Sequence, residues 1–337
     1  MTLSTRQVSD EIQQEAVRLH SKMNLLGYGL NDCLLLAPLT LEINRLKQEK
    51  NAVILAHNYQ LPEIVFGIAD FVGDSLELSR KAKETQAKRI VFCGVHFMAE
   101  TAKIVNPEKQ VLLPALDAGC SLAESITGQD VRNLRKQYPN AAFVCYVNTS
   151  AEVKAECDVC CTSANSVKII QALPQKQIVY LPDQYMAANL AKLIPEKEII
   201  AWNGLCIVHE TFTEHQLVQY KKIYPNAKIL AHLECKQEVV QQADLVGGTS
   251  DMTKYVQQSS ANEFVIVTEC GMSDVLREKF PAKQFITPCS ICPHMKKINL
   301  ENVLKTLKEE KNEITVPEII RLRALNTLNK MFELTGK

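Results

Sequence analysis

The sequence predicts an α/β protein made of three homologous αβα domains, each with a small parallel sheet, set around a pseudo-threefold axis with the active site at the centre. Three observations predict it. One unit recurs along the chain. Within each copy, short Val/Ile/Leu-rich runs alternate with amphipathic stretches. Polar landmark residues stand where those runs end, at the edge that parallel α/β sheets use for binding.

The repeat fixes the order of the elements. Residues 1–44, beginning "MTLSTRQVSDEIQQEAVRLH", read as a helical N-terminal extension. The first unit (45–136) carries "EKNAVILAHNY" from Glu49. The second (137–222) carries "YPNAAFVCYVN" from Tyr138, and the third (223–299) carries "YPNAKILAHLE" from Tyr224, 86 residues later. Each continues alike, through "ADFVGDS" (69–75), "CDVCCTS" (157–163) and "ADLVGGT" (243–249). A strand-like run then leads to Met98, Met186 and Met272, each 23 residues after Ser75, Ser163 and Thr249. A last run closes each unit: "QVLLPALDAGC", "EIIAWNGLC" and "QFITPCSIC" end at Cys120, Cys206 and Cys292, at intervals of 86. Stretches such as "DSLELSRKAKETQA" and "SVKIIQAL" supply helices, and residues 300–337 read as closing helices.

Composition narrows the function classes. With 46% apolar and 23% charged residues, the 337-residue chain has the make-up of an ordinary globular protein. Its 38 basic and 38 acidic residues leave no net field to draw nucleic acid or an anionic membrane. Apolar runs such as "CLLLAPL" fall far short of a membrane span. The N-terminus shows no basic and then apolar leader, so a cytoplasmic protein with reduced thiols is expected.

The register sorts the twelve cysteines. Cys120, Cys206 and Cys292 share one position in three copies, whereas Cys289 aligns with Asp117 and Asn203. Cys157 aligns with Ala69 and Ala243, Cys160 with Val72 and Val246, and Cys145 with Ala56 and Ala231. These three read as small buried hydrophobes. The alternative is a four-thiol site joining Cys157 and Cys160 to Cys289 and Cys292, although zinc ribbons place their second C-x-x-C closer. Three thiolates about a threefold axis suit a [4Fe–4S] cubane, whose fourth iron would stay open to substrate. Electron carriers normally use four cysteines, so an open iron implies a Lewis acid acting on a carbonyl or hydroxyl oxygen. The plainer alternative is an ancestral buried cysteine kept in each copy.

The polar landmarks supply the second part. His57, Tyr59, Tyr146, Asn148, His232 and Glu234 occupy matching strand ends, and Ser75, Ser163 and Thr249 close matching loops. Any one alone is as readily structural. Together they would surround a cavity with hydroxyls, imidazoles and one carboxylate, and the glycine-rich loops would offer backbone N–H groups to anionic oxygens. Glu234, the only carboxylate of the set, is the candidate general base, poised if burial raises its pKa. His209 stands three residues after Cys206. "GYGLND" lacks the third glycine of a dinucleotide fingerprint, and "HETFTEH" spaces its histidines wrongly for a zinc helix.

"LAHNYQLPEI", "FVGDSLELSRKA", "FMAETAKIVNP", "AGCSLAES", "YVNTSAEVKAECDVCCTSANSV", "HLECKQEV" and "CPHMKK" together resemble the quinolinate synthase family, from about residue 45 to 335. That resemblance implies three αβα domains about a pseudo-threefold axis and one [4Fe–4S] cluster held by Cys120 of "AGCSLA", Cys206 of "NGLCIVH" and Cys292 of "CPHMKK". It implies a transferase that condenses iminoaspartate with dihydroxyacetone phosphate to quinolinate, losing phosphate and two waters, for NAD biosynthesis. The substrate contacts it implies are His57, Ser75, Tyr146, Asn148, Ser163, His209, His232, Glu234 and Thr249, with Tyr59, Glu234 and His57 as the catalytic set. An L-aspartate oxidase as source of the imine and iron–sulfur assembly machinery are the implied partners. In one respect the chain departs from some members, which carry C-x-x-C-x-x-C at the third ligand. Ile286 replaces the first cysteine here, and a bond between Cys289 and Cys292 would compete with cluster binding, so no regulatory disulfide is expected. The rival readings are another [4Fe–4S] hydro-lyase and a non-catalytic iron–sulfur carrier or sensor.

Overall fold

Among the described residues, twelve short strands form three separate sheets of four, one per repeat. The computed structural model describes residues 9–335, so residues 1–8 of the extension and 336–337 of the closing segment lie outside the described residues. The first sheet holds β1 (Ala52–His57), β2 (Phe71–Gly73), β3 (Arg89–Cys93) and β4 (Gln110–Leu112). The second holds β5 (Ala142–Tyr146), β6 (Val159–Cys161), β7 (Gln177–Leu181) and β8 (Glu198–Ala201). The third holds β9 (Lys228–His232), β10 (Leu245–Gly247), β11 (Glu263–Val267) and β12 (Gln284–Ile286).

Every sheet is parallel and has the same order: β2-β1-β3-β4, β6-β5-β7-β8 and β10-β9-β11-β12. The chain reverses its direction of travel between the first and third strand of each sheet. That is the switch point where parallel α/β folds bind ligands. β5 is buried at all five residues, as strands covered on both faces must be.

The amphipathic stretches fold as expected. "SLELSRKAKE" forms the helix Ser75–Glu84, capped by the Asp74 carboxylate, which accepts from the Leu76 and Glu77 N–H groups, both at 2.9 Å. The extension forms the helices Asp10–Met23 and Leu30–Glu49, packed on each other. At the other end, Leu300–Glu309 packs on Leu30–Glu49, and Glu318–Thr335 packs on the second unit. No helix among the described residues is long and apolar enough to cross a membrane.

Candidate active site

Loops from the C-terminal strand ends of all three units meet around one cavity. The first strands end at His57, Tyr146 and His232, and Tyr59, Asn148 and Glu234 follow two residues later; all six line it. After the second strands come Ser75, Ser163 and Thr249, and after the fourth come Cys120, Cys206 and Cys292, all six again on the lining. His209 completes the set, so all thirteen sequence-selected residues face one space.

The cysteine loops are pinned in the same way three times. His96 N–H donates to Ala118 O (2.8 Å), Gln184 N–H to Gly204 O (2.9 Å) and Cys270 N–H to Ser290 O (3.1 Å), each two residues before its cysteine. Among the described residues, Cys120, Cys206 and Cys292 are the free cysteines that are only partly buried; the other seven free ones are buried. Burial pushes the Cys120 thiol up to about 12 and raises Cys206 and Cys292 as well. Pulling the other way are the backbone N–H groups two and three residues on: Leu122 and Ala123, Val208 and His209, His294 and Met295. Paired N–H donors stabilise a thiolate. Cys145 lies against Cys157 and Cys160 inside the second unit, and Cys289 is bonded to Cys270, so the four-thiol site does not form.

A hydrogen-bonded chain crosses the three units. Tyr59 Oη lies 2.7 Å from Thr268 Oγ1, Thr268 Oγ1 lies 2.8 Å from His209 Nε2, and His209 Nδ1 lies 3.1 Å from Glu234 Oε2. Tyr146 Oη donates to Glu234 Oε1 at 2.7 Å. With an ionised Glu234 as terminal acceptor, the donors run one way, from Tyr59 through Thr268 and His209. Cys206 Sγ sits 3.2 Å from His209 Nδ1, so the chain touches the thiol trio. The His209 and His232 rings stack with centroids 4.5 Å apart.

Burial lowers His57 and His232 to about 4, so both are neutral near pH 7. Each accepts at Nδ1 from a backbone N–H two residues on, His57 from Tyr59 (3.2 Å) and His232 from Glu234 (3.3 Å). Burial raises Tyr59 and Tyr146 well above the usual phenol value, which keeps both as proton donors. Burial by itself would raise Glu234 too. His232, His209 and the Tyr146 hydroxyl outweigh it and hold the carboxyl well below the usual range. The expected upward shift is therefore reversed: Glu234 is a carboxylate.

Two features escape sequence reasoning. Thr268, at the centre of the chain, aligns with Gly94 and Pro182, so no repeated hydroxyl marks it. Cys289 does form a disulfide, with Cys270 rather than Cys292, at a Cα–Cα distance of 5.3 Å. The parallel bridge Glu269↔Ser290 brings their neighbours together, a pairing that only the fold creates. Close approach is enforced elsewhere too. A Cβ on Gly271 would lie 2.8 Å from Asn58 O and 2.9 Å from Tyr59 Cα, so the Tyr59 loop reaches the third unit only over a glycine.

The fold and this cavity define an α/β enzyme whose centre is shared by three repeated units and is lined by three partly buried thiols. The family described as quinolinate synthetase A protein matches residues 41–333. The chain is 51% identical to a quinolinate synthase of Aquifex aeolicus over 301 residues, 87% of this chain and 93% of that one. It is 50% identical to one of Alkaliphilus metalliredigens over 295 residues (87% and 97%) and 47% identical to one of Caulobacter vibrioides over 302 (88% and 82%). The chain belongs to the quinolinate synthetase A family. That family implies an iron–sulfur cofactor. The three partly buried thiols, each backed by two N–H donors, fit one.

Proposed function

We propose that this enzyme condenses iminoaspartate with dihydroxyacetone phosphate to quinolinate, releasing phosphate and two waters, in the cytoplasmic route to NAD. The observation that most supports the reading is the convergence of the partly buried thiols and the polar set from all three units on one cavity. Cys120, Cys206 and Cys292 would hold a single [4Fe–4S] cluster. When bound, such a cluster supplies a Lewis-acidic iron that polarises a carbonyl or hydroxyl oxygen.

The protein's own residues do the rest. Ser75 and Thr249 open their helices, and Ser163 follows β6; their hydroxyls and the nearby amides receive phosphate and carboxylate oxygens. His57, Asn148 and His232, neutral donors and acceptors, orient the carbon skeleton. Glu234, a weak base in the resting site because its carboxyl is held well below the usual range, accepts a proton at a carboxylate oxygen, and Tyr59 exchanges one at Oη. Thr268 and His209 connect the two, so a proton taken at one end is available at the other. Val95, Phe97 and Met98 close the apolar side against water. An aspartate oxidase would supply the unstable imine.

Anaerobic, cluster-loaded protein incubated with both substrates is expected to form quinolinate, read by mass spectrometry, and to form none when either substrate is omitted. A cluster-replete sample that yields no product overturns the reading.

A further inference from the structure

The second unit differs from its siblings at one peptide. In the first and third units, the N–H two residues after the strand-end histidine is taken by that histidine's Nδ1. In the second unit Tyr146 replaces the histidine, and among the described residues the matching N–H, of Asn148, has no backbone acceptor. The carbonyl of the same peptide, Val147 O, accepts from the Thr149 N–H (2.8 Å) and from Lys154 Nζ (2.8 Å), and Lys154 also donates to Thr149 O. A trans peptide points its C=O and N–H in opposite directions. Lys154, outside the lining, and the Thr149 N–H together hold the Asn148 N–H pointing away from them, on a segment where Val147 and Asn148 both line the cavity.

Lys154 is itself unusual. Its side chain is fully buried. The ammonium touches two carbonyls and lies 5.4 Å from the Phe97 ring centroid, and no carboxylate pairs with it among the described residues. The matching positions, eight residues after His57 and His232, are Val65 and Val240. A buried charge is costly unless an opposite charge answers it. Among the described residues, the cavity wall holds the carboxylates of Asp74 and Glu234 but no lysine or arginine, and its proposed substrates bear phosphate and carboxylate groups.

We propose that Lys154 and the Asn148 backbone amide form an anion seat, in which the amide N–H donates to a substrate carboxylate or phosphate oxygen and the buried ammonium supplies the opposing charge. Lys154 is a positioning residue, one layer behind the substrate. This inference rests on the proposed reaction, so its test measures binding apart from turnover. Anaerobic, cluster-loaded parent protein, Lys154→Met and Lys154→Arg are titrated calorimetrically with quinolinate and with dihydroxyacetone phosphate. The Met variant is expected to bind at least one anion about tenfold more weakly, and the Arg variant to recover most of the loss. Weakening for quinolinate alone assigns the seat to a carboxylate; weakening for dihydroxyacetone phosphate alone assigns it to the phosphate. Binding of both within twofold of the parent overturns the proposal. Should Lys154→Met not fold, hydrogen exchange of the 147–150 segment in the parent decides: slowing by either anion upholds the seat, and unchanged exchange removes it. A parent that binds neither anion would instead overturn the proposed reaction, which keeps the two failures apart.

Discussion

In the first two units the hydrophobic core runs without a break, from Ile43 through both sheets to Met331 of the last helix. Two smaller clusters cover the third sheet, one on each face: Ile229 and Ala231 point into one, which also takes in Phe212 and Leu217 of the second unit, and Leu230 points into the other. The third unit gives the shared core little beyond Leu233, Met295 and Ile298. Near the site, what joins it to the others is polar. Asn58 Nδ2 donates to Thr249 Oγ1 (3.0 Å), Asn189 Nδ2 to Leu233 O (2.9 Å) and Cys235 O (2.8 Å), and Tyr59 meets Thr268 at 2.7 Å. Hydrogen bonds contribute less net stability than apolar burial, but they are directional. Three copies of one fold thus divide the work: two are fused by burial, and the third is aligned by the polar groups that form the site.

The equivalence of the three units is most exposed at the thiols. If all three units share one centre equally, Cys292→Ser from the third should be as damaging as Cys120→Ser or Cys206→Ser. Each should lose the visible iron–sulfur absorbance and all turnover while the far-ultraviolet circular dichroism stays that of the parent. Glu234→Gln should keep that absorbance but lower turnover by roughly two to four orders of magnitude, since the carboxylate ending the inter-unit chain is gone. Gly271→Ala tests the alignment itself. Its methyl would push the Tyr59 loop off the third unit, and turnover should fall by up to about a hundredfold with the melting temperature little changed.

Stability sharpens the contrast further. Phe143 lies in the shared core and Phe264 in a cluster of the third unit, both fully buried. Truncation of either to Ala should cost about 3–5 kcal/mol. Phe143→Ala should lower one global transition, whereas Phe264→Ala should speed hydrogen exchange in the third unit and spare the first two. The smallest effect is with pH. His57 and His232 fall from 6.5 to about 4 in the folded protein, so between those values the unfolded chain binds more protons. Stability should therefore fall as pH drops from 6.5 towards 4, by at most about 3 kcal/mol per histidine. His57→Gln should flatten part of that acid slope in denaturant titrations at pH 4.5 and 7.

Much of this was legible in the sequence. The 86-residue register singled out Cys120, Cys206 and Cys292, and the ends of the apolar runs singled out His57, Tyr146 and His232 before any fold was known. Such signals are local or repetitive: strand-forming side chains announce a strand, and equivalent positions in equivalent units end up at equivalent places. Thr268 carried no such signal because its counterparts are Gly94 and Pro182, and Lys154 stands where its siblings have valine.

By itself, the sequence determined three parallel units and the residues each sends to its own sheet edge, because periodicity and repetition act within a unit. Only the tertiary structure decided what happens between units. It set Thr268 between Tyr59 and His209, gave Cys289 its partner in Cys270, and divided the core unevenly. It also turned Glu234 into a carboxylate instead of a raised acid. Those outcomes depend on distances of a few ångströms between groups far apart along the chain, and on the balance of burial against nearby charge, neither of which spacing along a sequence encodes.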